Sequence, residues 1–465
     1  MTRAAALDSA LHHFDSGAFL DTLARRVAIP TESQEPERKP ELRRYLVEEI
    51  TPALKDLGCE TLLHDAPDLR GGPYLTASRI EDPKLPTVLT YGHGDVIRGQ
   101  AGRWGNDRDP WKISIEGDRV YGRGTADNKG QHSINMASLA AVLGARGKLG
   151  FNLKVLIEMG EEIGSPGLKG FCAANQDLLK ADFLLASDGP RLASDRPTLF
   201  MGSRGAMNFD LTLELRDGAH HSGNWGGLLS NPGAILANAL SCLIDRNGKV
   251  LCRGILPDRI PNSVRAALAD CAPAPGEGEP VIDVEWGEPG LTPAERVFAW
   301  NTFEILAFEC GNPRAPVNAI PGRATAHCQV RFVADTDPTT IVPAIRAHLK
   351  ANGFGEIQVS ASREAASNAT RLDPEHPVVE WAARSVEASL GRAPARLPNL
   401  GGTLPNDCFS DTLSLPTIWV PHSYAGCRQH APDEHALKSI MREGMAMMTG
   451  LFWDLGEAPP AFARG

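Results

Sequence analysis

This sequence predicts an α/β protein: a mostly parallel central sheet flanked by helices, into which an α+β segment is inserted. Three observations carry that expectation. Short apolar runs, Asn152 to Met159 and Phe183 to Ala186, suit strands buried on both faces, as parallel strands are. Each run leads into glycine and acid, Gly160-Glu161-Glu162 and Ser187-Asp188-Gly189, where the chain leaves a sheet. After Arg204 the pattern changes, and Ala206 to Arg216 alternates apolar and polar residues like a half-exposed antiparallel strand.

The 465 residues exceed what one core organises, and at about 150 residues per domain they suggest two or three domains. Hydrophobic residues make up 42% and charged residues 22%, with no apolar run of transmembrane length, so a soluble globular protein without a membrane span is expected. Met1 to Phe19 lacks a basic start and an apolar stretch, so no secretory signal is read there. Nine scattered cysteines without a C-x-x-C pair fit a reduced, cytoplasmic setting. The net charge of -10 and the lack of any basic run argue against a nucleic-acid partner.

Residues from about Ala4 to Leu57 read as two helices, with apolar positions three and four apart in Phe19 to Val27 and Leu42 to Leu57 and a break at Ile29-Pro30-Thr31. Strands are expected at Glu60 to His64, Tyr74 to Arg79 and Pro86 to Thr90, after which Tyr91-Gly92 turns the chain out of the sheet. His93-Gly94-Asp95 follows. In extended chain, residues two apart share a side, so His93 could bind a metal with Asp95 behind it; a loop histidine beside a solvated acid fits equally well. Trp104 to Tyr121 reads as a surface loop leading to a short strand. Gly122 to Gly130 then crowds three glycines around Asp127 before a helix at Gln131 to Leu143. Asp127 suits either a helix N-cap or a carboxylate delivered into a cleft. The adjacent Glu161 and Glu162 repel each other unless a cation or protons neutralise them. Three successive strands thus end in His93, Glu161-Glu162 and Asp188, and the carboxyl edge of an open α/β sheet is where ligands bind.

In the inserted part we expect helices at Pro232 to Ile244, Pro293 to Phe303 and Thr339 to Ala351, and strands at Ala324 to Val333 and Ile357 to Ser362. The biased segment Cys271 to Pro289 reads as a loop. The chain returns near Pro374 to a helix at Val378 to Leu390 and a last strand at Thr417 to Val420. Leu400 to Asp407 is a glycine-rich turn suited to anion contacts, and Arg428 to His435 is a second concentration of metal-capable residues. No internal repeat is present.

His93-Gly94-Asp95, Gly122 to Gly130, Gly160 to Ser165, Ser187-Asp188, His221-Ser222-Gly223 and the late His430 together resemble the di-zinc peptidase and amidohydrolase family of carnosinase-type dipeptidases, glutamate carboxypeptidase, aminoacylase and succinyl-diaminopimelate desuccinylase. The motifs stand in the family's order from about residue 90 to 435. The resemblance implies a zinc-peptidase-like catalytic domain formed by residues 1–204 and 369–465, with a lid and dimerisation domain at 205–368. It implies two divalent ions, zinc or alternatively manganese or cobalt, with Asp127 bridging, His93 and Asp188 completing one site, and Glu162 and His430 the other. Glu161 is then the general base toward a metal-bridging water, and Asp95 the acid that orients His93. A cis Asp127-Asn128 peptide is implied as well.

By the same resemblance, His221 reaches the partner subunit's site in a homodimer to stabilise the oxyanion. Arg331, Asn318, Thr403 and Gly402 would grip a substrate carboxylate. His422, Cys427 and His435 match no ligand position, His220 competes with His221, and His132 is expected on a helix surface. The function implied is hydrolysis of an amide bond in a dipeptide or short peptide with a free C-terminal carboxylate, the aspartate at 188 favouring the dipeptidase branch. The alternative is an N-acyl amino acid deacylase or desuccinylase. A catalytically silent binding protein is the competing class, separable by metal content and chelator-sensitive amidase activity.

Overall fold

The computed structural model describes residues 2–66, 68–273, 280–361 and 368–463. Ser362 of the expected strand and residues 274–279 of the biased segment lie outside them. In chain order the strands are β1 (Glu60–His64), β2 (Tyr74–Arg79), β3 (Thr87–His93), β4 (Ser114–Glu116), β5 (Arg119–Tyr121), β6 (Asn152–Glu158), β7 (Phe183–Ala186) and β8 (Thr198–Phe200). There follow β9 (Gly205–Glu214), β10 (His220–His221), β11 (Thr302–Cys310), β12 (Ala319–Ile320), β13 (Arg323–Phe332), β14 (Gln358–Ala361), β15 (Ala395–Leu397), β16 (Thr417–Trp419) and β17 (His435–Leu437).

One eight-stranded mixed sheet runs β1-β2-β6-β3-β7-β16-β8-β15. Its centre, β6, β3, β7 and β16, is parallel, while β1, β2 and the β16/β8 contact are antiparallel. The apolar composition of β7 follows from that place, because all four of its residues are buried. Successive residues of β6 serve opposite faces: Val155 and Ile157 join the core beneath helices Lys129–Arg146 and Lys438–Glu457, and Leu156 the core on the other face. Both faces are covered, so the carboxyl edge of the parallel strands is the open one.

A separate four-stranded antiparallel sheet, β11-β13-β9-β14, packs helices Pro232–Leu243 and Pro338–Ala351 against one face. Helices Asn262–Leu268 and Pro293–Phe298 of the inserted part instead pack on the large sheet, where Val264, Leu268, Ala294 and Phe298 meet Phe200, Leu397 and Leu400.

Several expectations are corrected. The first expected helix is two, Arg3–Asp15 and Ala18–Val27, because Gly17 takes φ 88, a left-handed conformation that ends one helix and caps the next. β3 does not turn out at Tyr91-Gly92 but runs on to His93, which lies opposite Glu158 of β6. The expected helix to Phe303 stops at Phe298, and Thr302–Cys310 is a strand. Its Glu, Leu and Ala favour helix locally, and pairing along β13 overrides them. The 20-residue helix Lys438–Glu457 was not anticipated. Among the described residues no helix is long and apolar enough to cross a membrane.

Candidate metal centre

The ends of three adjacent parallel strands converge. His93 ends β3 between two glycines that packing demands: a Cβ at Gly92 would stand 2.7 Å from His132 Cβ, and one at Gly94 would stand 2.5 Å from the Tyr45 ring. The His93 Nδ1–H donates to the Asp95 carbonyl at 3.1 Å, and Asp95 Oδ1 lies at 3.5 Å. A carbonyl only accepts, so Nδ1 carries a proton, and Nε2 is the nitrogen turned toward the site. That nitrogen lies 3.1 Å from Asp127 Oδ1 and 3.6 Å from Asp188 Oδ2. Across the site, His430 Nε2 lies 2.9 Å from Glu162 Oε2 and 3.4 Å from Asp127 Oδ2. The two Asp127 oxygens therefore face different histidines.

Two groups of donor atoms result, His93/Asp127/Asp188 and Asp127/Glu162/His430, each lying within 4.8 Å. They suit metal ions by chemistry, being imidazole nitrogen and carboxylate oxygen. A second observation agrees: among the described residues Asp188 Oδ2 is buried without a hydrogen-bond partner, although Oδ1 accepts the Gly189 N–H at 2.6 Å. Asp127 does not cap the following helix, whose N-cap is Asn128, and the Asp127-Asn128 peptide is cis.

The site is rich in negative charge. Burial pushes the Glu162 carboxyl up to about 7, helped by the Asp127 charge and opposed by His430. Burial and Asp127 likewise raise Asp188 to about 6. His430 is pushed up to about 11 by its bonds to Asp127 and Glu162. Glu161 rises well above the usual carboxylate range, through burial first; His93 opposes this, and the Asp188, Glu162 and Asp127 charges add to it. Divalent cations are the partners such a cluster fits.

The Asp95 carboxylate does more than face a histidine. It accepts the backbone N–H groups of Glu161 and Glu162, both at 3.1 Å, so one residue holds the His93 ring by its carbonyl and the turn bearing the acid pair by its carboxylate. Arg331 donates to Thr403 Oγ1 at 2.7 Å and to Gln329 Oε1 at 3.0 Å. Gly402 sits in the same turn, its carbonyl accepting the Arg204 N–H at 3.2 Å. His221 and Asn318 are exposed on the β10/β12 ribbon; the His221 ring accepts the Gly223 N–H, and neither side chain bonds to the cluster.

His132 is not on a helix surface. It is buried, bonded to the Tyr45 hydroxyl at 2.7 Å and to Asn128 Oδ1 at 3.1 Å, because its helix packs against Gly92 and the N-terminal helices. Asn128 in turn donates to the Ser187 carbonyl at 2.9 Å, tying the Asp127 turn to the Asp188 turn. Sequence reading missed this chain, along with Gln429, which donates to Asp127 Oδ2 at 3.3 Å, and Arg123 and Glu434. Burial of polar residues inside motifs is a tertiary property, and the motif spacing carried no sign of it.

A protein-family model described as Peptidase family M20/M25/M40 matches residues 89–454. A Beta-Ala-His dipeptidase from Mus musculus is 28% identical over 392 residues, spanning 76% of each chain. A cysteinylglycine-S-conjugate dipeptidase from Corynebacterium striatum is 25% identical over 371 residues, 77% of each chain. Among solved structures, an M20 family metallo-carboxypeptidase from Sulfolobus solfataricus superposes with a TM-score of 0.76 at 26% identity, covering 94% of this chain and 99% of that one.

Proposed function

Since the chain belongs to peptidase family M20/M25/M40, we propose that it is a metal-dependent dipeptidase that hydrolyses the amide bond of small peptides with a free C-terminal carboxylate. One observation carries the reading: the two oxygens of Asp127 face two different histidine-carboxylate groups, the arrangement a bridging ligand needs. Two zinc ions, held by His93, Asp127 and Asp188 and by Asp127, Glu162 and His430, suit these donors, with manganese or cobalt as substitutes. When bound, such ions acidify water and polarise the scissile carbonyl.

The chain's own residues supply the rest. Glu161 takes the proton of the attacking water and returns it to the leaving amine, a role that its place beside the cluster, on the turn held by Asp95, favours. Asp95 holds the tautomer of His93 and the turn bearing Glu161. Arg331 and Thr403, already bonded to each other, with Gly402 and Asn318, receive the substrate carboxylate. We divide the chain into a catalytic domain, 1–204 and 369–465, and a lid and dimerisation domain, 205–368. β11 is an edge strand with Ile305, Leu306 and Phe308 each more than 40% exposed, which suits pairing with a second copy. In that homodimer His221 serves the partner subunit's site. The nine cysteines are all free, in keeping with a cytoplasmic setting.

Of the relatives named above two are dipeptidases and one is a metallo-carboxypeptidase, all peptidases by name, which disfavours a deacylase or desuccinylase. The deciding experiment strips the chain with chelator, reloads it with zinc or manganese, and compares dipeptides with N-acetyl and N-succinyl amino acids. Dipeptides should turn over in the loaded chain alone; turnover of acylated amino acids only would overturn the reading.

A further inference from the structure

The loop that carries His430 has an unusual backbone. Arg428, His430 and Asp433 all lie in the left-handed region, at φ 57, 62 and 63, and none is glycine. Such conformations persist only where the surroundings impose them. One restraint is Asp433, whose Oδ1 accepts the Gly105 N–H at 2.9 Å and Arg108 Nη1 at 2.8 Å. The stronger one is its neighbour Glu434. This side chain is 1% exposed, and its Oε1 accepts the N–H groups of Gly124, Ala126 and Asp127 at 3.0, 3.1 and 3.1 Å. Its other oxygen takes Arg123 Nη1 at 2.7 Å. Arg123 is equally buried and sends Nη2 to the carbonyl of Ala431, the residue after His430, at 3.0 Å. A single buried ion pair thus grips the backbone of Asp127 with one end and that of the His430 loop with the other.

Stability does not account well for this pair. Desolvation of two buried charges offsets much of their attraction, and an apolar pair of similar volume would serve a core at least as well. What an apolar pair would not do is gather three N–H groups of the 124–127 loop on one oxygen and so fix where the Asp127 side chain leaves the backbone. We propose that Arg123–Glu434 is a positioning latch that sets Asp127 against His430 and thereby the affinity of the Asp127/Glu162/His430 group for its divalent ion. The inference rests on the two-metal reading. It also predicts an asymmetry, because the latch holds two members of the Asp127/Glu162/His430 group against each other, while of the His93/Asp127/Asp188 group it touches only Asp127.

The test is zinc titration against a competing chelator on the wild type, Arg123→Lys and Glu434→Gln, with thermal unfolding of each chain free of metal. The lysine variant keeps a buried cation and guards against loss of folding in the glutamine variant. With the latch, the wild type binds two ions, and in each folded variant one ion weakens by about 10–100-fold, the range for residues that orient metal ligands, while the other changes far less. Unchanged affinities in a folded variant overturn the latch. So does equal weakening of both ions in step with a lower unfolding temperature, since a merely structural pair gives that result. If the wild type binds fewer than two ions, the two-metal reading falls and takes the latch with it, a failure visible before any variant is made.

Discussion

Glu161 and Glu162 are neighbours in the chain, yet the fold gives them different surroundings. Glu162 meets His430 at 2.9 Å, whereas no hydrogen-bond donor among the described residues reaches the Glu161 carboxylate. One acid is thus a ligand candidate and the other a base candidate, a division that their identical chemistry could not reveal. Glu161→Gln removes the proton acceptor and keeps the size, so kcat should fall on the order of 10³-fold, within the range for general-base removal. Metal content, measured by elemental analysis, should stay at the wild-type level. Loss of metal in this variant would make Glu161 a ligand and reassign the base. The legibility of these positions differed from residue to residue. His93, Asp127 and Asp188 stood out because few residue types bind metal and they sat at strand ends or among glycines, and His430 because it stands in a concentration of metal-capable residues. Glu434 and His132 did not, because a glutamate in an acidic loop and a histidine on a helix are ordinary until burial is known.

At the scale of elements, the parallel strands β6, β3 and β7 deliver the acids, and the end of β6 carries one more. Glu158 is buried, accepting Tyr91 Oη–H at 2.6 Å and Ser165 Oγ–H at 3.0 Å. Burial pushes its carboxyl up to about 7, against an ordinary value of 4.5, with the Tyr91 bond opposing. Between those pH values the folded chain holds a proton that the unfolded chain has released. The contribution is therefore full below pH 4.5 and is lost as pH rises through 7. Glu158→Gln cannot titrate, so its unfolding free energy should fall less than the wild type's between pH 4.5 and 8, by about 3 kcal/mol at 1.36 kcal/mol per pKa unit. Urea unfolding at the two pH values measures the difference, and parallel pH profiles would refute it. The strands themselves were readable wherever apolar periodicity was local. β11 was not, since Glu304, Leu306 and Ala307 favour helix and only the neighbouring β13 makes the segment a strand.

For the whole molecule, the open question is whether one chain makes a complete site. His221 is exposed on the β10/β12 ribbon and bonds to no member of the acid-histidine cluster, while β11 leaves an apolar edge uncovered. If His221 serves a partner, His221→Ala and Glu161→Gln should each be inactive alone. Mixed after subunit exchange, they should recover about a quarter of wild-type activity, since half the dimers are mixed and each of those holds one intact site. No recovery in a mixture shown to contain mixed dimers would place the action of His221 within its own chain or remove it. What the sequence determined by itself was the chemistry: which donors exist, that they follow buried strands, and that an alternating antiparallel segment interrupts the chain. Those properties are written in residue type and local period. Only the tertiary structure decided that Asp127 turns its two oxygens to two histidines, that Asp95 holds both His93 and the Glu161 turn, and that Arg123 and Glu434 join the Asp127 and His430 loops. Each of these joins residues distant in the chain, where pairing depends on how the elements stack and no local pattern records it.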